Sequence, residues 1–275
     1  MREMQLSVNY SLELAELLRE DRVHVDRIKC ADWPDMIAAA RELRPVYVHF
    51  PFDAGSASGR RADFAAADAM ARDTDTPYVN LHLVTYHRDF PDYPSDSTDA
   101  WLTGRVIEQM LADADEAARG VGRERAVLEN IPYFGGGSEY HRASVEAAVI
   151  GRVVRQSGCG FLLDTAHAAI AAHYLGLDPI EYVESLPLEH LRELHVTGVR
   201  PHNGRLADHM DLQADDWRMV EHALRRIRAG DWATPWTLAF EYGGIGEHFR
   251  WRSERRVLAE QVPRLWDMVA TAKRG

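Results

Sequence analysis

Thiols are scarce in this sequence. The 275 residues include two cysteines, Cys30 and Cys159, too few for a disulfide framework or for a structural zinc held by thiolates. That scarcity suits a reducing compartment. Long apolar runs are missing as well. No stretch approaches the roughly 20 apolar residues of a membrane span, and the N-terminal MREMQLSVNY lacks the apolar core of a secretory signal. No membrane partner is expected, and the expected location is cytoplasmic. Positive charge is in deficit, with 32 Lys and Arg against 43 Asp and Glu and a formal net charge of -11. Such a field repels nucleic acid, so no nucleic-acid partner is expected either. No Gly-x-Gly-x-x-Gly follows the first apolar run, which counts against a dinucleotide-binding sheet. With no low-complexity linker, residues 1–275 read as one domain.

What the chain does contain is an alternation. Short apolar runs occur at QLSVN (5–9), VDRIKC (25–30), VYVHF (46–50), YVNLHLV (78–84), AVLEN (126–130), GFLLD (160–164), LRELHV (191–196) and TLAFEY (237–242). Between them lie amphipathic segments such as SLELAELLRE, DMIAAAREL, DAWLTGRVIEQMLADADEAA, HRASVEAAVIGRVVRQ and DDWRMVEHALRRIRA. SERRVLAEQVPRLWDMVATAK closes the series. Ser138 to His141 and Asp215 to Asp216 read as helix starts, with capping side chains and early acids. Strand–helix alternation calls for a parallel sheet, and eight repeats favour closure: an α/β fold, a single (βα)8 TIM barrel. An open doubly wound sheet is the alternative.

In such a barrel the chemistry sits at the C-terminal ends of the strands. The third run ends with His49, the fourth carries His82, and the fifth places Glu129 near its end. The sixth ends with Asp164, and His167 follows three residues later. The seventh carries His195 and the eighth Glu241. Singly, each has an ordinary explanation as a hydrogen-bonded core histidine or a helix cap. Together, so many ionisable groups in one cavity are costly to desolvate unless something pairs them, and divalent cations do that. Imidazole plus carboxylate suits Fe, Zn or Mn. The polar stretch VRPHNGRLADHMDLQADDW adds His202, Asp208, His209 and Asp211, with Asp208 and His209 expected to point apart if the chain is extended. Lys29 and Cys30 end the second run; packing is the expected role of Cys30. Tyr133, Phe134 and the GGG at 135–137 read as a flexible flap. Trp236 and Trp251 are expected to pack between helices and barrel, and His248 to cap or face solvent.

The order His, His, Glu, Asp-x-x-His, His, an Asp/His loop and a final Glu resembles the xylose-isomerase-like metal barrels. Within them, LEN (128–130), LLDTAHAAIAAHYLGLDPIEYVESLP (162–187) and ELHVTG (193–198) are most similar to the multinuclear non-haem iron-dependent oxidative enzymes. The similarity runs from about residue 46 to 242. It implies two or three iron ions held by His49, His82, Glu129, Asp164, His167, His195, His209 and Glu241. Glu129, His167 and Asp208 are the expected catalytic groups, and Lys29, Asn130 and His202 the expected substrate contacts. It also implies dioxygen as co-substrate, a ribosomally made precursor peptide modified at Cys, Asp or Asn, and a partner protein that grips the leader. One departure stands out. The family's loop commonly reads Asp-x-His, whereas this chain has Ala207, Asp208, His209 and Met210, so the metal nearest that loop is expected to be held weakly. Two other readings of the same ligand order are a zinc-dependent phosphodiesterase resembling apurinic endonucleases and a Mn- or Mg-dependent sugar isomerase or epimerase using Glu129 and Glu241. The acidic net charge opposes the first, and the number of histidines exceeds what the second needs.

Overall fold

The computed structural model describes residues 3–246 and 252–272. All eight apolar runs form strands. In chain order the strands are β1 (Gln5–Asn9), β2 (Arg27–Ala31), β3 (Val46–His49), β4 (Phe52–Ala54), β5 (Val79–Leu83), β6 (Ala126–Glu129), β7 (Gly160–Asp164), β8 (Leu191–Val196), β9 (Gly198–His202), β10 (Arg205–Met210) and β11 (Thr237–Phe240). The helices are α1 (Leu12–Arg19), α2 (Pro34–Arg41), α3 (Phe64–Asp73), α4 (Ala100–Val121), α5 (Ala147–Ser157), α6 (Thr165–Leu175), α7 (Pro179–Glu184), α8 (Ala214–Ala229) and α9 (Arg255–Ala272).

Nine strands hydrogen-bond in the order β3-β2-β1-β11-β8-β7-β6-β5-β4, every pair parallel. The two ends of that order, β3 and β4, are halves of one extended segment broken at Phe50 and Pro51. The chain itself therefore closes the barrel. Pro51 has no N–H to give to a ladder, and a side chain fills the break. The Asn80 amide accepts from Phe50 N at 2.7 Å and donates to Phe50 O at 2.8 Å, as a neighbouring strand would. Nearby, Val48 N donates to Thr76 Oγ1 at 3.0 Å. The open-sheet alternative is excluded by this closure.

Strand periodicity sorts the side chains into two sets. Val8, Ile28, Val48, Leu81, Leu128, Leu163, Leu194 and Phe240 join one continuous apolar core beneath the helices. The intervening positions turn into the barrel. At its N-terminal end Tyr47, Trp236 and Ala239 form a separate small cluster, with Tyr47 and Trp236 edge-to-face at 5.2 Å. Trp236 thus plugs the barrel interior instead of packing under a helix; Trp251 and His248 lie outside the described residues. Near the C-terminal end the inward positions are ionisable.

Two helix starts came out differently. Asp216 takes the N–H of Gln213 at 2.9 Å ahead of α8, as expected of an early acid. Ser138 to His141 leads only into a short 3-10 turn, Arg142–Val145, with His141 at its N-cap and no side-chain cap bond; Tyr140 bridges to Tyr86, and α5 begins at Ala147. Tyr133, expected in a flap, is buried at 1% exposure. No described helix is long and apolar enough to cross a membrane.

Candidate metal centre

The sequence DTAH, Asp164 to His167, occupies the junction of β7 and α6. Asp164 closes the strand and caps the helix, its Oδ1 accepting from His167 N at 2.8 Å. Only one carboxylate oxygen is used this way. Oδ2 is buried in the barrel mouth with no hydrogen-bond partner, a costly arrangement for a carboxylate unless a cation meets it. The three-residue spacing brings His167 onto the same side, where its Nδ1 donates to Asn130 O at 2.9 Å, leaving Nε2 facing Asp164 Oδ2 at 3.9 Å.

Glu129, at the end of β6, lies between four imidazoles. Its Oε2 is 3.5 Å from His49 Nε2 and 3.4 Å from His82 Nε2. Its Oε1 is 3.7 Å from His167 Nδ1 and 4.0 Å from His195 Nδ1. The rings are held by their other contacts. His82 Nδ1 donates to Phe52 O at 3.1 Å, and His195 Nε2 donates to Glu193 Oε2 at 3.2 Å. These partners set which nitrogen faces inward, the usual task of groups behind a metal-binding imidazole. His195 Nδ1 is then 2.9 Å from Glu241 Oε1, the same oxygen that accepts from Lys29 Nζ.

The polar stretch after β8 folds into a hairpin of β9 and β10 with an irregularity between Ala207 and Met210. His209 adopts φ +56°, a left-handed value that few non-glycine residues take. The bulge turns adjacent side chains to one side, which a regular strand forbids. Asp208 Oδ2 reaches His167 Nε2 at 3.2 Å, and His209 Nε2 lies 3.9 Å from Glu241 Oε2. Arg252 braces the bulge by donating to Asp208 O at 2.6 Å. The expectation that Asp208 and His209 point apart is therefore corrected. Local backbone strain brings both to the mouth.

Among the described residues three groups bring possible ligand atoms within 4.8 Å of one another: His49, Glu129 and His195; Glu129, Asp164 and His167; and Asp164, His195 and Glu241. Glu129, Asp164 and His195 each belong to two groups, so the ligands form one connected cluster. The electrostatics of the cluster follow from burial and from the charges packed together there. Burial, reinforced by Lys29, holds the His49 imidazole well below its ordinary pKa and hence neutral. Burial pushes the Asp164 carboxyl up to about 7. Burial also opposes charge on His167, yet Asp164 and Asp208 outweigh it and hold its pKa well above the usual value. His195 is raised to about 10, burial being overcome chiefly by Glu241. Glu241 stays ionised, because Lys29 and His195 overcome its burial. Protons on these imidazoles do the pairing that divalent metal can do instead.

Other expected site residues fall elsewhere. Asn130, expected to meet substrate, is wholly buried, and its amide is committed to Asp164, donating to Asp164 O and accepting from Asp164 N, both at 2.9 Å. It ties β6 to β7. His202 sits beside the hairpin turn, its ring against the Asn203 amide at 3.0 Å, and does not join the cluster. Lys29 is hydrogen-bonded to Glu241 and lines the cavity beside His49. Cys30 is buried as expected, its thiol pushed up to about 12 by desolvation. Sequence reasoning missed Asn80, Glu193 and Arg252. The first two were findable, since each lies two residues before an inward-facing histidine and so shares its side of the strand.

The closed barrel with its ionisable mouth is a xylose-isomerase-like TIM barrel. A xylose isomerase domain containing protein from Salmonella typhimurium superposes with a TM-score of 0.58 at 13% identity, covering 98% of this chain and 99% of that one. The D-psicose 3-epimerase of Clostridium cellulolyticum, solved with D-tagatose, gives 0.54 at 13%, covering 98% and 99%. At such identity the likeness concerns the fold alone. Residues 30–235 match the family described as RiPP precursor modification enzyme MbnB/TglH/ChrH, and the chain belongs to that family. A UPF0276 protein of Chromobacterium violaceum is 25% identical over 209 residues, 74% of each chain.

Proposed function

We propose that this protein is a multinuclear non-haem iron-dependent oxidative enzyme that uses dioxygen to modify a Cys, Asp or Asn side chain of a ribosomally made precursor peptide. The observation that supports this most is the division of Glu129, one oxygen toward His49 and His82 and the other toward His167 and His195. A carboxylate so placed is suited to bridge two cations. In this reading one ion is held by His49, His82 and Glu129. A second is held by Glu129, Asp164 and His167 beside Asp208, and a third by Asp164, His195 and Glu241 beside His209. The donor set of imidazoles and carboxylates, with the uncompensated Asp164 Oδ2, fits iron; Zn and Mn are the alternatives. The family's description implies a peptide substrate, and a leader-binding partner protein is part of the proposal.

Iron held there supplies dioxygen activation and one-electron chemistry. The chain's own residues do the remaining work. Asn80, Phe52 O, Asn130 O and Glu193 fix the imidazoles, so little reorganisation is needed when ligands change. Asp208, 3.2 Å from His167 at the edge of the cluster, is the carboxylate that can hold and pass a proton there. A cavity of about 220 Å³ beside Lys29 and His49, lined also by Tyr10, Trp33 and Met36, gives a peptide side chain a route to the ligands. A sugar epimerase would need Glu129 and Glu241 as its acid–base pair. Here Glu241 is tied to Lys29 and Glu129 is surrounded by imidazoles, which favours the multinuclear reading. Elemental analysis after anaerobic purification tests it, followed by dioxygen uptake and mass change of a precursor peptide. More than one iron per chain with peptide oxidation is expected; a single Mn or Zn with ketose epimerisation would sink it.

A further inference from the structure

The three groups of ligands are not electrically equivalent. Lys29 Nζ donates to Glu241 Oε1, and both side chains are almost out of water, at 8% and 5% exposure. That oxygen is also the one 2.9 Å from His195 Nδ1. An ion taking His195 and Glu241 must share Oε1 with an ammonium or displace it, and in a water-poor cavity two like charges a few ångströms apart repel strongly. The charge of Lys29 also reaches His49 through space, but its hydrogen bond is to Glu241 and not to Glu129, Asp164 or His167. Around Glu129 the neighbours are imidazoles and the neutral Asn80 amide, 3.3 Å from Oε2. Beside Asp208, Arg252 donates to the backbone carbonyl and approaches Oδ1 only to 3.9 Å, on the oxygen other than the one facing His167.

We infer that Lys29 is a built-in cation that competes for Glu241, making the ion of the Asp164–His195–Glu241 group the most weakly held of the cluster. The inference rests on the metal-centre reading above and deepens it. It also gives a different cause from the one expected of the loop sequence: the bulge supplies Asp208 toward His167 and His209 toward Glu241, so the loop is not short of ligands, and the weakness comes from Lys29. Chemically, a loosely held ion gives one coordination position that an incoming thiolate or carboxylate can claim, with Lys29 already hydrogen-bonded to Glu241 and able to keep it.

The test is metal counting during stepwise chelation of protein loaded anaerobically with ferrous iron. Wild type is expected to release one ion before the others. Glu241→Gln should lack that early ion and keep the rest. Lys29→Met, neutral and of similar length, should retain the ion until the chelator concentration is raised about tenfold or more, the scale of one removed like charge at an effective dielectric between water and protein interior. Lys29→Arg, which keeps the charge, should behave as wild type. If Lys29→Met does not fold, Lys29→Gln carries the same test while keeping a donor for Glu241. Simultaneous release of all ions from wild type, or release from the neutral variants at the wild-type chelator concentration or below, overturns the inference and leaves the metal centre standing. A protein that binds no iron at all overturns both.

Discussion

The two faces of the same eight barrel strands are built on opposite principles. Outward, Ile28, Val48, Leu81, Leu128, Leu163 and Leu194 pack under the helices in one apolar layer. Inward, one residue further along the same strands, Lys29, His49, His82, Glu129, Asp164 and His195 meet at the mouth. The outer face gains free energy by leaving water, at roughly 25 cal/mol per Å². The inner face loses free energy by the same burial, because its groups are charged or can become so. The fold is therefore held by one side of each strand, and the other side is free to carry a costly arrangement that cations can relieve.

Breaking the inner face should cost function more than stability. Glu129→Gln removes the charge shared by the two imidazole pairs and is expected to lower bound metal and cut turnover by about a hundredfold or more. Elemental analysis and peptide turnover read it; full metal loading in this variant would falsify the bridging role. Breaking the outer face should do the reverse. Phe161→Ala leaves a hole at a fully buried position and is expected to cost about 3–5 kcal/mol of stability in denaturant unfolding, with metal content unchanged in the fraction that folds. A smaller effect is expected at the seam. Asn80→Ala removes the amide that imitates a strand at Phe50 and should cost about 1–3 kcal/mol. Because Asn80 also touches His49 and Glu129, metal affinity should fall with it, and a variant losing neither property would show that the break needs no filler.

The mildest probe is pH. With metal absent, His195 is raised to about 10, His167 well above its usual value and Asp164 to about 7, so between pH 6 and 8 metal must displace protons to bind. The sign follows: apparent affinity rises with pH in that window, by at least about tenfold per unit, since at least one proton leaves per ion bound. Proton release on metal addition, measured with an indicator in weak buffer, checks it. Affinity independent of pH between 6 and 8 would contradict the protonated imidazoles.

Much of this was legible in the residues. Alternating runs of period two and helical segments announced a parallel barrel, and the strand-end His, Glu and Asp residues announced its mouth, because strand periodicity and barrel polarity are local rules. The spacing in DTAH fixed one cap and one inward histidine by itself. Asn130 looked like a substrate contact but proved to be a tie between two strands. A side chain's partner across a sheet depends on register, which sequence does not state. Lys29 likewise reads as a pocket residue until β2 and β11, 212 residues apart in their contact, are brought within one strand of each other. The loop at 207–210 marks the boundary between the two kinds of knowledge. Its residue types were sufficient to nominate Asp208 and His209, but an extended chain would have sent them opposite ways. Only the packed structure, in which Arg252 and the bulge hold His209 at a positive φ, turns both inward, because tertiary contacts can offset a local strain that no isolated segment sustains.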